Sequence, residues 1–161
     1  MTEQQEASQD VVMTRIGQAI MLLHGGDREE ARNRFGTLWA EIGEGGDALR
    51  RCTLAHYMAD TQDDPGDELL WDLRALSAAE ALMGERVARH QDVLAVRALY
   101  PSLHLSLAAD YVELRRPAAA RIHLDQAREA SGALAADGRD DGYGGGVRAA
   151  IGRLEQRLRE F

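Results

Sequence analysis

The sequence predicts an all-α fold. Three observations predict it: apolar residues recur at helical spacing along nearly the whole chain, alternating runs of β-branched residues are almost absent, and Gly, Asp and Pro clusters cut the chain into helix-length segments. At 161 residues the chain fits one domain, with a core that needs neither disulfide nor metal.

The polar, acidic start MTEQQEASQD is expected to leave residues 1–9 disordered ahead of a single domain over 10–161. From Val11 to Leu23, Val12, Ile16, Ala19, Ile20 and Leu23 make one stripe, which His24, Gly25 and Gly26 end. Asp27 caps the second helix, with Glu30 in the position of a capping box, and Ala31, Phe35, Leu38 and Ile42 form its buried face before GEGG. Asp47 starts a third helix through Leu49, Leu54, Ala55 and Met58, which stops in TQDDPGD. The fourth runs from about Glu68 through Leu70, Leu73, Leu76 and Ala79 to Leu82.

Residues 85–99 are helical in character and meet Pro101, which leaves open whether this segment and Ser102 to Leu114 are two helices or one bent helix. Pro117 opens the next helix, expected to end near Ala130. The composition of GALAADGRDDGYGGG is that of a loop, a hinge with Tyr143 as its anchoring side chain. A last amphipathic helix over 147–160 carries Val147, Ile151, Leu154 and Leu158 on one face.

Charge and composition narrow the function classes. All 19 basic residues are arginines, a bias that points to a GC-rich bacterial coding genome. Residues 1–80 hold 7 Arg against 16 Asp plus Glu, whereas residues 81–161 hold 12 against 11. An acidic chain argues against nucleic acid, whose phosphates need clustered cations, and the first half suits a basic protein surface. Cys52 is the only cysteine, the N-terminus has no signal-peptide pattern, and no apolar run is long enough to span a bilayer, so a cytoplasmic protein is expected.

A spacing repeats. Leu107, Ala108, Tyr111, Ala120, Leu124 and Ala127 are separated by 1, 3, 9, 4 and 3 residues, and Ala19, Leu22, Ala31, Phe35 and Leu38 fall at the same offsets. In the middle Leu54, Ala55, Met58 and Trp71 match, with Asp67 and Arg74 in place of the small and last residues. Small residues let paired helices approach closely, and large ones fill the space beside them.

This alternation resembles the tetratricopeptide repeat. The resemblance covers three helical pairs, about residues 12–45, 48–81 and 101–134, with an inserted helix at 85–99 and a C-terminal cap at 147–160. Copies one and two start 36 residues apart, near the family period of about 34, and copies two and three start 53 apart.

The resemblance implies a protein-interaction module with no catalytic activity and no cofactor. Its inner helices would line a concave groove through Ile16, Ile20, His24, Cys52, His56, Asp60, Leu105, Ala109 and Glu113, and would take a peptide or helix with a cation and apolar anchors. Some members of the family grip a C-terminal carboxylate with groove lysines, and this chain has no lysine. Self-association stays open. The alternative is a helical sensor that binds a small ligand between helices, with His24 and His56 as its polar contacts.

Metal and catalytic readings are weaker. Cys52 and His56 share a helical face, yet no CxxC, HExxH or third ligand accompanies them. Counting from Asp137, the twelfth position of an EF-hand loop would be Arg148 rather than glutamate, and no strand precedes the glycines as a phosphate loop requires.

Overall fold

The computed structural model describes the backbone of residues 3–136 and 143–161 and the side chains of 11–136 and 145–161. The described residues form seven helices and no strand: α1 (Glu3–His24), α2 (Arg28–Ile42), α3 (Ala48–Ala59), α4 (Pro65–Met83), α5 (His90–Glu113), α6 (Pro117–Ala136) and α7 (Tyr143–Leu158). None is long and apolar enough to cross a membrane.

Aspartates set three of the starts, since each carboxylate accepts an amide that the first turn leaves unpaired: Asp27 from Glu30, Asp47 from Arg50 and Asp64 from Asp67. Glu30 does not complete a capping box; its carboxylate takes a hydrogen bond from Arg34 at 3.0 Å.

Neighbours pair in chain order. α1 packs on α2, α3 on α4 and α5 on α6, while α3 also touches α1 and α5, and α7 packs on both α5 and α6. The apolar core has three parts. Ile16, Phe35 and Leu54 centre the first, Cys52, Ala79 and Val96 the second, and Ala120, Leu124 and Ile151 the third. Trp39 and Trp71 meet edge to face with centroids 5.0 Å apart and join the first part to the second.

Several expectations change. α1 begins at Glu3 and so takes in residues expected to be disordered, a run of Glu, Gln and Ala with good helix propensity. The segment expected as a separate helix at 85–99 is, from His90 onward, the first half of α5, which continues through Pro101. An interior proline costs a helix about 3 kcal/mol, but the Pro101 ring is fully buried and its apolar contacts offset part of that. α6 extends to Ala136 and α7 starts at Tyr143, both inside the stretch read as loop. Asp137 and the rest of 137–142, with the EF-hand reading built on them, lie outside the described residues, as does the Tyr143 side chain.

The turns explain where the repeated spacing holds. Between α1 and α2, the amides of Gly25, Gly26 and Asp27 donate to the carbonyls of Met21, Leu23 and Leu22; between α5 and α6, Leu114, Arg115 and Arg116 donate to Asp110, Val112 and Tyr111 in the same pattern. Gly26 and Arg115 hold the same place, both with positive φ, at 94° and 59°. The left-handed conformation is natural to the glycine and strained for the arginine.

The middle turn differs. α3 ends at Ala59 and α4 begins at Pro65, so the outer helix starts ten residues after Ala55 rather than the nine that follow Ala19 and Ala108. That one residue moves the register. Asp67 and Arg74, matched to core positions by spacing alone, are exposed, and so are Leu70 and Leu73. Counted from the helix start, the counterparts of Ala31 and Ala120 become Glu68, those of Phe35 and Leu124 become Asp72, and those of Leu38 and Ala127 become Ala75.

Candidate functional site

Carboxylates therefore stand where the other two helix pairs place apolar side chains. Glu68 and Asp72 lie four residues apart on one face of α4, and Asp110 reaches them from the last turn of α5. Each of the three offers a carboxylate oxygen that lies within 4.8 Å of those of the other two. From α3, His56 brings its Nδ1 to 3.8 Å from Asp72 Oδ1.

Burial makes this arrangement costly. The side chain of Asp72 is 2% exposed, Asp110 is equally buried, and Glu68 is half-buried at their edge. With the acids ionised, both oxygens of Asp72, Oδ2 of Asp110 and Nδ1 of His56 have no hydrogen-bond partner, although nearly all buried polar groups in proteins have one; a proton on Asp110 supplies the one bond between the two aspartates. No arginine among the described residues pairs with Glu68, Asp72 or Asp110.

The acid–base consequences follow from desolvation and like charge. Burial, then the hydrogen bond and charge of Asp72, pushes Asp110 up to about 9. Burial raises Asp72 to about 7, and burial with the neighbouring Asp110 raises Glu68 to about 7. The C-terminal end of the α5 dipole also disfavours an anion at Asp110. Burial lowers His56, against the pull of Asp60 and Asp110. Asp60 has an exposed surface, yet it sits close enough to this acidic recess for desolvation to raise it.

The expected groove residues divide. His56, Asp60 and Glu113 gather at the cluster: Asp60 acts on both Asp72 and Asp110, and the charge of Glu113 reaches Glu68 while its carboxylate accepts from Arg157 at 2.8 Å. His24 is exposed at the end of α1, within electrostatic reach of Asp60. Ile16 is buried beneath α2, and Ile20 packs on the same core part. Cys52 is sealed among alanines, its thiol pushed up to about 12 by burial, which removes it as a nucleophile or thiolate ligand near neutral pH. Leu105 and Ala109 pack against the core part shared by α5, α6 and α7.

Sequence reasoning passed over Glu68, Asp72 and Asp110. The available signal was an acid inside an apolar helical run, in ELLWDL and in LAADYV. It also missed a second buried polar feature. His104 Nδ1 lies 3.1 Å from His123 Nδ1, in a stack bounded by Tyr100 and Tyr111. A contact between two ring nitrogens needs one donor and one acceptor, so at least one of the two rings is neutral, and burial followed by the His123 charge takes His104 down to about 4.

No protein-family model matches the chain, and no curated protein or solved structure matches it either.

Proposed function

We propose that the chain is a helical-repeat adaptor of tetratricopeptide type, which takes a basic segment of a partner protein on the acidic face formed by the ends of α3, α4 and α5. The observation that carries this reading is the gathering of Asp60 and Glu113, both exposed, and half-buried Glu68 at the ends of three helices, around Asp72 and Asp110 buried beneath them. Like charges held together repel, and a cationic ligand relieves that repulsion while acidic competitors are excluded. The repeat reading is supported by the pairwise packing and by Ala19, Ala31, Ala108 and Ala120, all fully buried where paired helices approach. The proposed activity is recognition, with no catalytic step.

Fluorescence anisotropy with a labelled arginine-rich peptide and a matched acidic peptide tests it, at low and at high salt. The expected result is binding of the basic peptide alone, weakened by salt, and weakened more by Asp60→Arg than by Glu85→Arg in the connector before α5. Equal losses from the two substitutions, or binding indifferent to salt, would remove the acidic face as the site.

A further inference from the structure

We propose that Glu68, Asp72 and Asp110, with His56 as a fourth donor, form a binding site for one divalent first-row transition-metal ion such as Mn²⁺ or Zn²⁺. Two independent observations converge on it. One is the geometry: three carboxylates from two helices with oxygens within 4.8 Å of one another, and an imidazole nitrogen from a third helix 3.8 Å from Asp72. The other is the lack of any cation or amide donor for Asp72, which is 2% exposed with both oxygens unsatisfied once Asp72 and Asp110 are ionised, together with the orphaned Asp110 Oδ2 and His56 Nδ1.

A buried carboxylate with no donor is among the costliest groups a core can hold, and it persists where something satisfies it. Among the described residues only Asp110, itself an acid, is placed to share a proton with Asp72, and no cation pairs with either. The first and third pairs show that this register packs well with Ala31, Phe35, Ala120 and Leu124, so acids at both equivalent positions of the middle pair are not a demand of helix packing. A divalent ion supplies what is missing, since it pairs with several oxygens at once and discharges most of the cluster.

Donor chemistry selects the ion. Three oxygens and one imidazole suit Mn²⁺, Fe²⁺ or Zn²⁺ better than Ca²⁺, which takes roughly six to eight oxygens, or Mg²⁺, which keeps several waters. Bonds of about 2.0 to 2.2 Å allow ligand atoms to lie up to roughly 4.4 Å apart, so small side-chain rotations draw the three carboxylates onto one ion, with His56 beside Asp72 as the further donor. The last turns of α3 and α5, which carry His56 and Asp110, add the negative ends of two helix dipoles beside a cation.

The site does not depend on the adaptor reading, and its test uses no peptide. The full chain is stripped with EDTA, desalted and titrated calorimetrically with Mn²⁺ and with Zn²⁺, with the electron paramagnetic resonance signal of free Mn²⁺ as a second readout. The expected result is one ion per chain, with binding weakened at least tenfold by Asp72→Asn and by Asp110→Asn and unchanged by Asp67→Asn, an exposed acid beside the site. His56→Gln should weaken Zn²⁺ more than Mn²⁺. Circular dichroism checks that each variant is folded; should Asp72→Asn fail to fold, Asp110→Asn and Glu68→Gln carry the same test. Absence of binding at millimolar ion, or equal effects of Asp72→Asn and Asp67→Asn, would overturn the site.

Discussion

The first and third helix pairs and the middle pair share the same positions when counted from the start of their second helix, and fill them with opposite chemistry. In the outer pairs, the positions three and seven residues past the helix start are Ala31 with Phe35 and Ala120 with Leu124, all buried. In the middle pair they are Glu68 and Asp72, the latter buried without a partner. The difference teaches that backbone register and side-chain chemistry are separable here. Helix packing asks these positions only to be filled, and the middle pair gives up apolar burial to keep charge there.

The comparison can be broken at its strongest point. Phe35 is fully buried in the first part of the core, so Phe35→Ala should lose about 3 to 5 kcal/mol in urea unfolding, as large-to-small core changes do. At the equivalent place in the middle pair, Asp72→Leu should act in the other direction. Replacing a buried charge by a well-packed apolar residue is expected to gain about 1 to 3 kcal/mol at pH 8 in metal-free buffer. A loss at both positions would mean that Asp72 holds the core together and that the middle pair is not special.

A smaller effect sharpens the outer side of the comparison. Ala120 has no exposed surface, and added methylenes at such a helix crossing should cost about 1 to 3 kcal/mol, so Ala120→Leu lowers the urea midpoint and Ala31→Leu does the same in the first pair. An unchanged midpoint for either variant would show that the crossing has room to spare.

Much of this fold is legible in the sequence, because helical periodicity and aspartate caps are local signals. The caps at Asp27 and Asp47 and the start at Pro117 stand where the residues indicate. What is not legible is set by longer-range geometry. The five-residue turn from Asp60 to Asp64 shifts α4 by one residue, which is why Leu70 and Leu73 look like core and face solvent while Asp72 looks like surface and is buried. The helix runs through Pro101, whose ring is fully buried, and that burial is not a local signal. Of the site, His56 and Asp60 could be found from their helical face, but Asp110 meets them only once α5 lies across α3 and α4.

Acid–base behaviour separates two buried polar sites as well. The lowered His104 binds fewer protons folded than unfolded, so its contribution is present above the ordinary histidine pKa of about 6.5 and is lost as pH falls toward about 4. The carboxylates have the opposite sign. Glu68, Asp72 and Asp110 hold protons in the folded chain that the unfolded chain releases near pH 4, so their contribution is present at low pH and is lost as pH rises through about 7 and about 9. The groups that face them are His56 and Asp60 from α3 and Glu113 from α5. Above pH 7 the lowered His104 has finished titrating, and the carboxylates act together with the Cys52 thiol, which burial pushes up with the same sign.

The central claim is that the middle pair buries carboxylates that no cation among the described residues pairs with, so that they are neutral only while they hold protons. The most direct test is the urea midpoint of the metal-free chain at pH 7 and at pH 9, for wild type and for Asp72→Leu. The account predicts that wild-type stability falls over that interval and that the fall shrinks in the variant. Wild-type stability that is flat or rising between the two pH values would contradict it, because the carboxylates would then be ionised and satisfied throughout.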